Sequence, residues 1–168
     1  MSIEPSEEWL LAVLNTTPTV DGARRDLLAG TEGAALVAQW GGEGEVGRAA
    51  LVAARDAVQE IVSTGAVGSD LGAVLTDQVR QRPRLGVDGL VWELEAPAQS
   101  VLAVQFLMAW TSLVAARPGR LKRCANAECS LFLLDRSNAN ARHWCSMSSC
   151  GNRMKARRHH QRTAGQQG

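Results

Sequence analysis

Residues 123–158 read RCANAECSLFLLDRSNANARHWCSMSSCGNRMKARR, and this stretch holds all four cysteines of the 168-residue chain. Cys124, Cys129, Cys145 and Cys150 are spaced C-x4-C-x15-C-x4-C. Four thiolates complete a tetrahedral shell for zinc, which has no d-electron geometric preference and favours soft sulfur. One structural Zn2+ per chain is the expected cofactor. Two disulfides or a redox thiol pair are the alternatives. The shell leaves no open position for water, so no catalytic residue is assigned, and a fifth ligand from His143 would be redundant. On a regular helix, residues five apart differ by roughly 140° in azimuth. Cys145 is therefore expected before a helix and Cys150 in its first turn, with Ser146, Ser148 and Ser149 as candidate N-caps. LFLLD (131–135) reads as a strand, with Arg142-His143-Trp144 returning beside it. A knuckle, a hairpin and a helix around one ion make a treble-clef-like finger.

The helix expected after Cys150 is basic. Arg153, Lys155, Arg157, Arg158 and Arg162 are the candidate nucleic-acid contacts, through phosphate and, in a major groove, through base edges. Positions 153 and 157 share one face, and 155, 158 and 162 another. A competing role exists for Arg123, Arg142 and Arg153, because zinc with four thiolates carries a formal charge of −2 that nearby cations would neutralise.

Working outward, the charge changes sign near residue 119. Residues 1–119 carry 8 Lys and Arg against 15 Asp and Glu, a balance of −7, whereas residues 120–168 carry 10 against 2, a balance of +8. An acidic body joined to a basic tail suggests a polyanionic partner, double-stranded DNA being the commonest. The core must be aliphatic, since the chain has five Trp, two Phe and no Tyr. The expected fold is mainly α: a multi-helical N-terminal domain with a small β-hairpin over 1–119, then the four-cysteine finger over 120–164. Helices are expected at 6–14 (Ser6 as N-cap), 31–40, 46–63, 70–81 (capped by Ser69, stopped by Pro83) and 98–117. A hairpin is expected about Asp88-Gly89. The last helix is apolar on nearly every face and is expected to be the central core helix. Its apolar run is shorter than the roughly 20 residues of a membrane span. MSIEPSEEWLLAVLN has no signal-peptide pattern. A cytoplasmic location with no membrane partner follows as an expectation, and a reducing compartment favours metal over disulfides.

The tail also resembles the CGNR-type zinc-finger family, named for the tetrad standing here as Cys150-Gly151-Asn152-Arg153. The resemblance includes both C-x4-C pairs, Phe132, Asp135, Trp144-Cys145-Ser146-Met147, Lys155, Arg157 and Arg158. Residues 1–119 resemble the helical stress-induced transcription regulator (ABATE-like) domain that usually precedes this finger, through Asn15-Thr16, Asp26-Leu27-Leu28 and Trp40. The resemblance implies zinc on the four cysteines and a finger that binds DNA.

The leading expectation is a cytoplasmic, bacterial-type DNA-binding transcription regulator with a helical sensor or dimerisation domain. A small-molecule effector and a homodimer are compatible with it, and the sequence leaves the effector and the oligomeric state open. The alternative is a small-molecule-binding protein or enzyme, for example a biosynthetic one, whose N-terminal domain holds the pocket and whose finger is structural. Its acid–base chemistry would fall to Glu93, Glu95 or Asp26, although no nucleophile elbow, H-E-x-x-H or P-loop is present. A protein–protein adaptor is the third class.

Overall fold

The computed structural model describes residues 6–68, 71–72 and 74–164. Ser6 accepts a hydrogen bond from the Trp9 amide (3.1 Å) and opens α1 (Glu7–Leu14), where Glu7 and Glu8 complement the helix dipole. A two-residue ladder, β1 (Thr19–Val20) with β2 (Ala23–Arg24), leads to α2 (Gly30–Gln39) and α3 (Gly44–Thr64). At Gly33 a Cβ would lie 2.1 Å from the Leu28 carbonyl carbon, so only glycine lets α2 lie this close to that backbone. Gly65, at φ +75°, closes α3 in the left-handed conformation.

The expected helix over 70–81 is corrected by the structure. Ser69 and Asp70 lie outside the described residues, and residues 74–79 form turns and irregular chain. Leu71 accepts from the amides of Val74 and Leu75, one turn that does not propagate. Gly72 lowers the helical propensity there, and Arg80 and Gln81 join a strand instead. That strand is β3 (Arg80–Gly86), antiparallel to β4 (Gly89–Glu95). Gly86 pairs with Gly89, so the chain reverses over Val87-Asp88, one residue earlier than expected.

The long apolar helix forms as α4 (Ala98–Ala116) and packs most extensively on α3, with α1 across both. Leu102, Ala103, Phe106 and Leu113 are buried, and Trp9 meets Phe106 and Trp40 edge-on at 6.1 and 6.5 Å. Burial on nearly every face is not what the structure has. Met108 and Val114 are exposed and Trp110 is half-buried, because α4 has neighbours on one side only. By length and composition α4 is apolar enough to cross a membrane, and here one third of that window is buried within the fold.

The C-terminal part contributes β5 (Leu121–Arg123), β6 (Phe132–Leu134), a single π-helical turn (Met147–Gly151) and α5 (Asn152–Ala164). Phe132 and Leu134 are buried in the same apolar cluster as Trp9, Val13 and Phe106, so body and finger share one core.

Candidate metal centre

β5 and β6 pair antiparallel, Arg123 opposite Phe132, and the knuckle bearing Cys124 and Cys129 is their connection. The partner of LFLLD is therefore Leu121-Lys122-Arg123, not the expected return of 142–144. That segment is irregular and touches the knuckle through the Ala125 amide, which donates to the His143 carbonyl (2.9 Å). Cys145 precedes the π-helical turn and Cys150 lies inside it. The wider turn brings two cysteines five apart to one point, which α-helical geometry would not. Ser146 occupies the N-cap, but its hydroxyl meets Ser148 Oγ (2.7 Å) and caps no amide.

The four Sγ atoms lie within 4.8 Å of one another, and Cys145 Sγ is 3.7 Å from both Cys129 Sγ and Cys150 Sγ. A disulfide needs about 2.0 Å. A tetrahedral ion with metal–sulfur bonds of about 2.3 Å has sulfur–sulfur edges of about 3.8 Å. All four cysteines are free, and their arrangement fits one zinc-sized ion rather than two disulfides. In the thiol form, burial pushes Cys129 and Cys145 up. Burial also acts on Cys150, but hydrogen bonding from Asn126 and the neighbouring thiols outweighs it and brings this group down. Bound metal would supply the counter-charge that keeps all four as thiolates.

Three N–H groups aim at the sulfurs, each at 3.5 Å: Asn126 Nδ2 at Cys150, the Leu131 amide at Cys129 and the Cys145 amide at Cys124. Asn126 is fully buried, and its own carbonyl accepts from the Cys129 amide (2.8 Å), so one residue shapes the first knuckle and touches the second. Sequence reading missed it, although an asparagine inside a C-x4-C knuckle is the available signal.

Asp135, also buried, anchors the loop between the pairs. It accepts from Lys122 Nζ (3.0 Å), from the Ser137 amide and hydroxyl (2.9 and 2.6 Å) and from the Arg142 amide (2.7 Å). Burial alone would raise its carboxyl, yet the Ser137 and Lys122 hydrogen bonds hold it well below the usual carboxylate range. Arg142 in turn donates to the Trp144 and Cys145 carbonyls (3.1 and 2.7 Å), fixing the approach to the third cysteine.

α5 leaves the centre with every described arginine and lysine exposed. Arg157 pairs with Glu128 on the knuckle, and Arg153 lies 3.9 Å from the same carboxylate, whose pKa the Arg157 hydrogen bond lowers. The exposed side chains of Lys155, Arg158 and Arg162 make no hydrogen bond or ion pair with any described residue. Of the cations expected to neutralise the thiolates, Arg142 holds the backbone beside Cys145. Arg153 turns to Glu128. Arg123 lines a cleft of about 360 Å³ with Arg24, Asp56 and Gln59.

The carboxylates considered for acid–base work are engaged elsewhere. Glu93 and Glu95 pair with Arg84 and Arg82 (2.9 and 3.0 Å) on the exposed hairpin. Asp26 takes both guanidinium nitrogens of the buried Arg55 (2.7 and 2.9 Å), which also reaches Asp56 and Thr16. Asn15 clamps the finger to the body, accepting from the Phe132 amide (2.7 Å) and donating to its carbonyl (3.2 Å).

Two knuckles that bring four thiols to one point, one in a hairpin and one leading a helix, define a zinc-finger module. Residues 120–163 match the family model of the CGNR zinc finger. No curated protein matches the chain.

Proposed function

We propose that the protein is a zinc-dependent, DNA-binding transcription regulator. Residues 1–119 serve as a helical sensor domain of the ABATE-like kind, and a treble-clef-like finger presents α5 to duplex DNA. The observation that carries the reading is the division of charge on α5. Arg153 and Arg157 meet Glu128, while Lys155, Arg158 and Arg162 stand exposed with no described acidic partner. Exposed cations on an ordered helix suit phosphate, since each neutralised phosphate releases condensed counterions. The four-thiol cluster supports Zn2+ as the ion, and free cysteines suit a reducing, cytoplasmic setting.

The test is fluorescence anisotropy of the metal-loaded chain on a duplex across a salt series. Three phosphate contacts per chain give a log–log slope of roughly −3, and two chains on one site about twice that. Absence of binding at low salt would remove this function and leave the finger a structural element.

A further inference from the structure

The β3–β4 hairpin packs against the main core only at its base, through Leu94, and its outer part is exposed. β3 makes its extensive contacts only with β4, and an isolated two-stranded hairpin is marginal in water. Its two faces differ sharply. One carries Arg80, Arg82, Arg84, Glu93 and Glu95, with Arg82–Glu95 and Arg84–Glu93 already paired. The other carries Gln81, Pro83, Leu85, Leu90, Trp92 and Leu94. Leu85, Leu90 and Trp92 are 80%, 64% and 58% exposed, and Val87 at the tip is fully exposed.

The two edges also differ. Pro83 has no N–H, so Pro83↔Trp92 is a non-hydrogen-bonded pair, and alternation turns the backbone of Gln81, Pro83 and Leu85 outward on β3. Proline interrupts that edge. On β4 the same alternation turns the N–H and C=O groups of Leu90, Trp92 and Leu94 outward, and no described residue hydrogen-bonds to them.

We propose that the outer edge of β4 pairs with the same edge of a second copy of this chain, antiparallel about a two-fold axis at Trp92, making a four-stranded sheet. Three features select a second copy as the occupant. With the axis at Trp92, the outward groups of Leu90, Trp92 and Leu94 meet those of the partner's Leu94, the partner's Trp92 and the partner's Leu90, so every open donor finds an acceptor. On the charged face Glu93 faces the partner's Val91 and Glu95 faces the partner's Gly89, so no like charges are directly opposed. On the apolar face the two Trp92 side chains lie side by side and the partner's Leu90 lies beside Leu94, so apolar groups meet apolar groups across the new edge. Leu90 and Trp92, both exposed, are the apolar side chains beside the new edge that the contact would cover. An isologous two-fold contact is the commonest closed assembly.

The experiment is sedimentation or light-scattering mass of the full metal-loaded chain, with helical circular dichroism and metal content as fold controls. Wild type should run as a dimer at about 100 μM. Trp92→Lys should weaken self-association at least about tenfold with helicity and metal unchanged. Leu90→Pro copies onto β4 the edge block that Pro83 provides on β3, removing an outward N–H and none of the hairpin's own, and it decides the matter should Trp92→Lys misfold. Val20→Lys, exposed in the β1–β2 ladder and outside the hairpin, should leave the dimer intact. A monomeric wild type, or a dimer that survives both hairpin variants, would overturn the assignment. DNA binding is a separate measurement, so either reading can fail alone.

Discussion

Asn126 and Arg55 each occupy a position where burial makes a polar group costly unless it is fully partnered. Asn126 meets that demand by donating to Cys150 Sγ and accepting from the Glu128 amide, which ties the two knuckles together. Groups that orient metal ligands are typically worth 10- to 100-fold in affinity, roughly, when removed. Asn126→Ala should therefore release metal to a chromophoric chelator about 10- to 100-fold more readily while the body keeps its helicity. Arg55 is the buried cation of the body, and Asp26, whose side chain is 36% exposed, neutralises it. Losing one member of a fully buried pair costs about 3–5 kcal/mol, and the solvent on Asp26 reduces this to about 2 kcal/mol for Asp26→Asn. The hydrogen bond to Arg55 lowers the Asp26 pKa, so the ionised carboxylate contributes stability above the unfolded value near 3.9 and loses it as pH falls through the lower folded value. Urea melts from neutral pH to acid should thus converge for wild type and Asp26→Asn. Parallel curves down to the lowest pH would separate Arg55 from Asp26.

At the scale of elements, capping and periodicity made α1, α2 and α3 legible: Ser6 before two glutamates, Gly41-Gly42 after Trp40, and apolar residues at helical spacing through Val58. Residues 70–81 were not legible in the same way, because cross-strand pairing of Arg80 and Gln81 with β4 is a non-local choice. α5 was readable as a basic helix, but the sequence gives no sign of which cations are spent on Glu128. That division makes a directional prediction. Arg158→Ala should flatten the salt slope of DNA binding by about one unit. Arg157→Ala should change the slope less and loosen the contact between α5 and the first knuckle. Equal slopes for the two variants would mean that Arg157 leaves Glu128 in the complex.

For the whole molecule, the charge division between body and tail is partly an internal complement. Arg136 of the finger pairs with Glu7 and Glu8 of α1 (2.9 and 2.5 Å), and Asn15 and Thr17 receive the backbone of Phe132 and the hydroxyl of Ser130. Burial of Phe132 and Leu134 in the main core divides the consequences of metal removal. Chelation should unfold the knuckles, the π-helical turn and α5, while β6 stays ordered against α1. Hydrogen exchange should show protection lost at 124–129 and 145–164 and retained at 132–134, with most helical dichroism preserved. Cys145→Ser should reproduce this pattern and abolish DNA binding. Collapse of the entire helical signal would make the metal centre part of the body's folding nucleus.

The sequence by itself determined which four cysteines are candidates to meet at one point, the basic character of the last helix and the aliphatic helical body. These depend on residue type, short spacings and local periodicity, which act within a few residues of chain. Only the tertiary structure decided that β5 rather than residues 142–144 partners β6, and that Asn126 and Asp135 brace the centre. It alone showed Arg55 buried among Asp26, Asp56 and Thr16, and the apolar face of the hairpin left open. Each of those outcomes depends on which distant groups can meet a buried charge, an unpaired amide or an apolar face, and that competition is settled only when the whole chain packs.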